Sequence, residues 1–202
     1  MEKISKGNFA AMKSNLAYAC LVVCIVFGLI GTTLFATETA SMHITGYGVD
    51  SASALYIGRN HQIEVYEDGA TVRKIAVPAY RSWGFYLNKN DEIVIITSSK
   101  TVVMSNIGKI LSEEEGRSKT NLSDLWNKSG FNGNDGKKYS INDRFGYKYV
   151  QASDGSILYQ MPFVDILAHY LFVLAVAGGL ISMLIITRKK RKKSKTEDSS
   201  LS

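Results

Sequence analysis

The residue types that most often carry out catalysis are few and scattered in this chain. Its three histidines are His43, His61 and His169, and its two cysteines, Cys20 and Cys24, both fall inside a hydrophobic segment. The sequence contains no H-E-x-x-H, G-x-S-x-G or G-x-x-x-x-G-K-[ST] motif, the patterns that position a zinc ion, a nucleophilic serine or a bound phosphate. We therefore predict that the protein is not an enzyme and that it holds no cofactor and no metal.

Two further groups of polar residues have the composition of a functional site, one for calcium binding and one for proton transfer. Asn132, Asn134 and Asp135 are calcium-type ligands, but the glycine and the distal glutamate of an EF-hand are misplaced, so a plain Asx-Gly turn is the favoured interpretation. Asp165 and His169 stand four residues apart and share a helix face. An intramembrane proton relay would use such a pair, yet its place at the end of a hydrophobic segment favours an interfacial pair.

Aromatic residues supply the best candidates for a contact surface. Trp83 and Tyr86 belong to one aromatic cluster, and Trp126 stands in an otherwise polar segment. Aromatic side chains are enriched at protein interfaces, but a small β domain also fills its core with them. We predict an interaction surface at Trp83, Tyr86 and Trp126, with core packing as the alternative.

Two uncharged apolar segments, residues 16–36 and 166–187, must position whatever lies between them. A helix needs about 20 apolar residues to cross the hydrocarbon core of a bilayer, so both segments are predicted transmembrane helices. A cleaved signal peptide is the alternative for the first segment. Its apolar stretch is too long and its exit sequence is poor for that interpretation.

Small residues recur along both predicted spans, where they would allow two helices to approach closely. We expect an antiparallel helix pair within one chain; packing between copies is the alternative and would give a homo-oligomer. The predicted packing residues are Cys20, Cys24, Gly28 and Thr32 on the first span, and Ala175, Gly178, Gly179 and Ser182 on the second.

The net charge of +6 is carried by the two tails, residues 1–15 and 188–202, which flank the spans. Basic residues next to a span favour the cytoplasmic side, which predicts a cell-membrane protein with both termini in the cytoplasm and residues 37–165 outside. A membrane surface is therefore a better partner for these charges than nucleic acid. The residues predicted to contact anionic lipid are Arg188, Lys189, Lys190, Arg191, Lys192 and Lys193.

Residues 37–165 alternate apolar and polar side chains between Asp-Gly and Gly/Asn turns, which is typical of β-hairpins. The predicted fold class is an α + β membrane protein, in which two transmembrane helices flank a small, mainly β antiparallel meander. The hairpin-like units are predicted at about 54–82, 84–111 and 137–161. An insert over 112–136 is expected to contain two short helical segments. One begins at the capping-box spacing Ser112-x-x-Glu115, and the other lies within 121–128.

The first two units repeat with a period of 30 residues. The matched pairs are Leu55 with Phe85, Tyr56 with Tyr86, Ile63 with Ile93, and Val65 with Ile95. The stretch LYIGRNHQIEVYEDGATVRKI resembles one repeat of the NHL- or YVTN-type β-propellers, which implies a strand–turn–strand meander and carries no functional residue with it. A propeller ring needs 4–8 blades of four strands, so three units do not close one.

The sequence also resembles small two-span membrane proteins of Gram-positive bacteria. We therefore predict a membrane-anchored extracytoplasmic binding or accessory module. The alternative is a sensor or regulatory subunit of a larger membrane complex. The expected partners are the lipid bilayer and another protein or a cell-envelope ligand.

Overall fold

The protein divides into two compact units, a helical unit of Met1–Ala40 with Val164–Ser202 and a β unit of Ser41–Phe163. The computed structural model describes the backbone of residues 6–41, 43–78, 82–116, 120–144 and 147–198. Within those ranges, the side chains of residues 6–14, 144 and 189–198 fall outside the description.

The helical unit consists of α1, Lys6–Ala36, and α3, Phe163–Asp198; the short helix α2, Leu122–Trp126, belongs to the β unit. Asn15–Ala36 has a mean hydropathy of 2.5 and Phe163–Arg188 one of 2.3. Both helices are thus long and apolar enough to cross a membrane. The second apolar segment is part of a longer helix, because α3 continues through the basic residues.

Small residues lie where the two long helices meet. A Cβ added at Gly28 would lie 3.3 Å from the Cβ of Ala175, and one added at Gly178 would lie 2.5 Å from the Sγ of Cys24. One added at Gly179 would have no neighbour within 4 Å. Gly178 therefore faces the other helix closely, while the adjacent glycine does not.

The strands of the β unit form two sheets. Eight strands lie in the order β4-β3-β2-β1-β5-β6-β7-β8, and four in the order β12-β11-β10-β9. The strands of the large sheet are β1 Ile44–Val49, β2 Leu55–Arg59, β3 Gln62–Glu67, β4 Ala70–Ala76, β5 Trp83–Leu87, β6 Ile93–Thr97, β7 Lys100–Met104 and β8 Ile110–Glu115. Those of the small sheet are β9 Gly130–Asn132, β10 Lys138–Arg144, β11 Tyr147–Ala152 and β12 Ile157–Gln160.

The large sheet is joined at its middle by β1. This strand is antiparallel to β2 and parallel to β5, where Gly46 lies beside Phe85. A Cβ at Gly46 would lie 2.5 Å from the carbonyl oxygen of Phe85, so a larger residue could not make this approach. All other neighbouring strands in the sheet are antiparallel.

The two halves of the large sheet share one hydrophobic core. Buried side chains of β2, β3 and β4 pack in the same cluster as those of β5, β6 and β7. Strands that far apart in the sheet order can share a core only if the sheet curls, as twisted sheets of many strands do. The two halves therefore face each other across their concave side, and the cluster includes Tyr56, Ile63, Phe85, Ile93 and Ile95.

The convex side of the curled sheet is covered as well. The small sheet packs its Tyr139, Val150 and Tyr159 on β1 and β2. The helix α2 packs Leu125 on β6, where Val94 and its neighbours face outward. Strands β1, β2 and β6 are therefore buried along their whole length.

The 30-residue repeat is present in the middle strands of the two halves and shifted by one residue in the first strands. Ile93 lies 30 positions after Ile63, and both are fully buried. Tyr56, however, is matched in the core by Phe85 and not by Tyr86. Five residues separate the paired Leu87 and Ile93 of β5 and β6, whereas four separate the paired Gly58 and Ile63 of β2 and β3. A shift by one residue turns a side chain to the opposite face, so Tyr86 points to the convex side.

The expected helical turn at Ser112-x-x-Glu115 is wrong, because these residues lie in β8. Ser112 pairs with Val103, and Glu113 pairs with Val102. The open edge of β7 offers backbone partners to these residues, which a single helical turn would leave unsatisfied. The second expected helix is present as α2, and the Asn121 side chain caps it by accepting a hydrogen bond of 3.2 Å from the backbone N–H of Ser123.

Replacing Gly178 by leucine is expected to open the helix pair, because the new side chain would occupy the space of Cys24. In a Cys20→Ser chain, we expect Gly178→Leu to raise the rate of Cys24 labelling by a fluorogenic maleimide several-fold in detergent. Gly179→Leu is the matched control, since space is open at that position, and it should leave the rate unchanged. Equal rates in both variants would contradict this close contact.

Candidate functional site

The candidate site is a cleft of about 230 Å³ in the β unit. One wall comes from β3 and the turn to β4, with Tyr66 and Asp68. The other comes from the small sheet, with Lys137, Tyr139 and Ile157. The cleft exists because the small sheet covers the convex face only in part, next to the β3–β4 turn.

The first wall is held by a buried carboxylate, that of Glu64. Its oxygens accept hydrogen bonds from Arg59 Nη1 at 3.2 Å, from Gln62 Nε2 at 2.9 Å and from the Tyr66 hydroxyl at 2.6 Å. Lys74 Nζ lies 3.5 Å away. The Tyr66 ring is therefore fixed at the edge of the cleft, where its centroid lies 5.2 Å from that of Tyr159.

The surroundings of Glu64 shift the pKa of Glu64 and that of Tyr66. Burial alone would raise the pKa of Glu64, but the hydrogen bond from Tyr66 and the charges of Arg59 and Lys74 outweigh it and lower the pKa. Burial and the same hydrogen bond raise the pKa of Tyr66 to about 12. The pair is thus a phenol that donates to a carboxylate at neutral pH.

The second wall is organised by Asp135, whose side chain is 4% exposed. It accepts hydrogen bonds from the Tyr139 hydroxyl at 2.6 Å, the Ser53 hydroxyl at 3.0 Å and the backbone N–H of Lys137 at 3.1 Å. Burial opposes ionisation, but these hydrogen bonds prevail and lower the pKa of Asp135. The ammonium of Lys137 lies 4.0 Å away on a half-exposed side chain, so it remains accessible to a ligand.

A neighbouring cluster ties three loops together behind this wall. Asp91 accepts a hydrogen bond of 3.1 Å from the backbone N–H of Ser51, and the hydroxyl of Ser51 contacts its other oxygen. Asn134 Nδ2 lies 2.7 Å from Asp91 Oδ1 and 2.6 Å from the carbonyl oxygen of Asn88. Asn134, one of the residues considered as calcium-type ligands, therefore joins the neighbouring loop through a carboxylate and a carbonyl oxygen.

The hydroxyl groups beside the cleft are engaged by neighbouring carboxylates. None of the described residues that line it is a histidine or a cysteine. The hydroxyl of Ser53 donates to Asp135, and that of Ser156 lies 2.6 Å from Asp154. Across the described part of the chain, no three His, Cys, Asp or Glu residues cluster as metal ligands would.

The predicted contact aromatics lie at another place, around α2. Trp83 is 3% exposed and donates its indole N–H to the carbonyl of Asn60 at 3.0 Å. Trp83 therefore packs in the core, which is the alternative interpretation given for it above. Trp126 and Tyr86 are half-buried on the convex face, and the Trp126 indole donates to the Trp83 carbonyl at 2.9 Å. The ring of His43 lies 5.4 Å from that of Trp126.

The residues predicted to pack the two long helices together differ in how deeply they are buried. Cys24 is half-buried and Ser182 is buried, while Cys20 is exposed. Thr32 bonds within its own helix, to the carbonyl of Gly28 at 2.8 Å. The side chain of Arg188 is exposed. The side chains predicted to contact lipid beyond it lie outside the described residues: Lys189, Lys190, Arg191, Lys192 and Lys193.

Sequence reasoning missed the residues that form the cleft. Glu64 alternates with the apolar Ile63 and Val65, so its face is predicted to be solvated. The groups that contact its carboxylate come from the neighbouring strands β2, β3 and β4, and include Arg59 and Lys74. The one sequence signal near the cleft was Asn-Asp-Gly at Asp135. It predicts a turn but does not indicate which residues contact that turn.

Comparison with known proteins adds no family. No protein-family model and no curated protein matches the chain. Among solved structures, a protein of unknown function from Bacteroides caccae is similar with 12% identity and a TM-score of 0.32, over 58% of this chain and 44% of that one. Streptogramin B lyase is similar with 13% identity and a TM-score of 0.30, over 56% of this chain and 39% of the lyase.

The chain thus spans less than half of either of these proteins. At such low structural similarity, neither carries an argument about the activity of this chain. A β-rich unit is consistent with propeller-like repeats, and the resemblance to NHL- or YVTN-type repeats stays a prediction.

Mutation of Glu64 should change how stability depends on pH. Because the fold lowers the pKa of Glu64 below its ordinary 4.5, ionisation stabilises the folded state above that pH, and this contribution is lost as pH falls through the lowered pKa. We expect Glu64→Gln to cost roughly 1–3 kcal/mol at pH 7 and to flatten the decline in stability below pH 4.5.

Fluorescence of Trp83 and Trp126 during denaturation of the full chain would measure this effect, since both tryptophans lie in the β unit. Glu67→Gln, at an exposed position on the same strand, is the matched control and should keep the wild-type pH dependence. A Glu64→Gln curve parallel to the wild-type curve would contradict the assignment.

Proposed function

We propose that the chain is a membrane-anchored binding module whose β unit lies outside the cytoplasm and takes up a polar component of the cell envelope. The observation that carries this proposal is the cleft beside Tyr66 and Lys137. Fixed polar and aromatic groups converge there around a concave surface, as they do in ligand sites.

The groups around the cleft favour a ligand with several polar groups on a partly apolar frame. Asp68 supplies a carboxylate and Lys137 an ammonium, which together can accept and donate hydrogen bonds. Ile157 is 48% exposed and offers an apolar contact. Tyr66 and Tyr139 are already oriented by Glu64 and Asp135, so little side-chain freedom is lost when a ligand binds.

The anchoring role is supported by the apolar helices and by the charges next to them. Asn15–Ala36 and Phe163–Arg188 both meet the length and hydropathy needed to span a bilayer. The basic run after the second span favours a cytoplasmic C-terminus. A chain with two spans then has its N-terminus on the same side and the β unit on the other.

The orientation is testable with single cysteines in a full chain that carries Cys20→Ser and Cys24→Ser. We expect Ser129→Cys, on an exposed segment of the β unit, to react with a membrane-impermeant maleimide in intact cells. Ser194→Cys should react only after the membrane is permeabilised. The reverse pattern would overturn the proposed topology.

Binding is testable by co-sedimentation of the detergent-solubilised full chain with purified Gram-positive cell wall. We expect the double variant Asp68→Lys/Ile157→Asp to bind at least about tenfold more weakly, since it changes the charge and the apolar contact of the cleft. Asp124→Lys, in the first turn of α2, is the control and should bind like the wild type. Undiminished binding of the double variant, or no binding of the wild type, would refute the proposal.

A further inference from the structure

The large sheet ends in two open edge strands, β4 and β8. Every residue of β8 is exposed, and five of the seven residues of β4 are exposed. An edge strand presents unpaired backbone N–H and C=O groups that can pair with a strand of another chain. These two edges are therefore surfaces on which a partner strand could be added.

The two edges carry opposite charges at matching positions. Arg73 and Lys74 follow each other on β4, and Glu113 and Glu114 follow each other on β8. Arg73 pairs with Val65, and Glu113 pairs with Val102, so both belong to the concave face. Lys74 and Glu114 belong to the convex face, because neighbouring residues of a strand alternate.

The directions of the two edges also agree. Three antiparallel steps separate β4 from β1, and three separate β8 from β5. Since β1 and β5 are parallel, β4 and β8 run in the same direction along the sheet. A strand β4 added next to β8 in the same sense would form a second parallel junction like the one already present at the centre.

We propose that β8 of one chain pairs in parallel with β4 of a second copy of the chain. A single register then places Glu113 beside Arg73 on the concave face and Glu114 beside Lys74 on the convex face. On the concave face Glu113 already contacts Lys100, and on the convex face Lys74 lies 3.5 Å from Glu64. Charges would alternate across the junction on both faces, which favours this register over one shifted by a residue.

One chain does not make this pairing with its own edges. The described contact between them joins Ile75, near the end of β4, with Gly108, in the turn before β8. Neither strand has a partner on its outer side within the part of the chain that the structure describes. The junction joins two different edges, so each added copy leaves one β4 and one β8 available, and the assembly either closes into a ring or extends.

The pairing is testable by disulfide trapping in membranes that contain two differently tagged full chains, both with Cys20→Ser and Cys24→Ser. One chain carries Lys74→Cys and the other Glu114→Cys. Paired strands lie about 4.8 Å apart, close enough for a disulfide after mild oxidation. We expect at least tenfold more mixed dimer than for Lys74→Cys with Glu113→Cys, whose side chains would face opposite sides of the sheet.

Three outcomes would overturn the proposal. The first is a dominant dimer of two Glu114→Cys chains, which would mean that two β8 edges meet. The second is a cross-link within one chain that carries both cysteines. The third is the absence of a cross-link in every combination. The last would mean that the glutamates keep the edge unpaired.

Charge reversal gives a second measurement that does not depend on cysteine geometry. Glu114→Lys should reduce the mass of the detergent-solubilised assembly, measured by light scattering, and the added change Lys74→Glu should restore it. Tryptophan fluorescence of both variants checks that the β unit is folded. An unchanged mass in Glu114→Lys would also overturn the proposal.

Discussion

The contact between β1 and β5 is the constraint on which the β unit depends. It is short, with Gly46 lying beside Phe85, yet it joins two meanders into one sheet and brings their apolar faces together. Without it each four-stranded meander would leave one apolar face exposed to water, which is unfavourable. The glycine at position 46 is what permits the approach, because any Cβ there would meet the backbone of Phe85.

Burial on both sides of the sheet follows from that contact. Once the halves curl together, the convex faces of β1, β2 and β6 are the remaining apolar surfaces, and the small sheet and α2 cover them. The polar groups that become buried there must then form hydrogen bonds within the protein. Glu64 and Asp135 show how: each accepts at least three hydrogen bonds, and each holds a tyrosine at the cleft.

Local features of the fold could be predicted from the sequence, and features set by distant contacts could not. Alternation around Ile63 and its repeat 30 residues later at Ile93 marked the middle strands correctly, and apolar length marked the two long helices. Asp135, by contrast, accepts a hydrogen bond from Ser53, which lies 82 residues away in the sequence, and no local pattern indicates such a partner. Ser112 to Glu115 has a helix-start signal, but the free edge of β7 outweighs a single turn of helix. Trp83 is equally suited by type to a core or an interface, and only the pairing of β5 with β1 decides between them.

The position of β1 at the centre of the sheet has a consequence for the order of events during synthesis. This strand is made before any of its neighbours, and it requires β5, some forty residues later, and the small sheet, about ninety residues later, to bury its two faces. Contacts so distant in sequence are slow to form, and apolar strands that wait for partners are prone to aggregation. The first strand of the β unit to be synthesised is thus among the last to be fully buried.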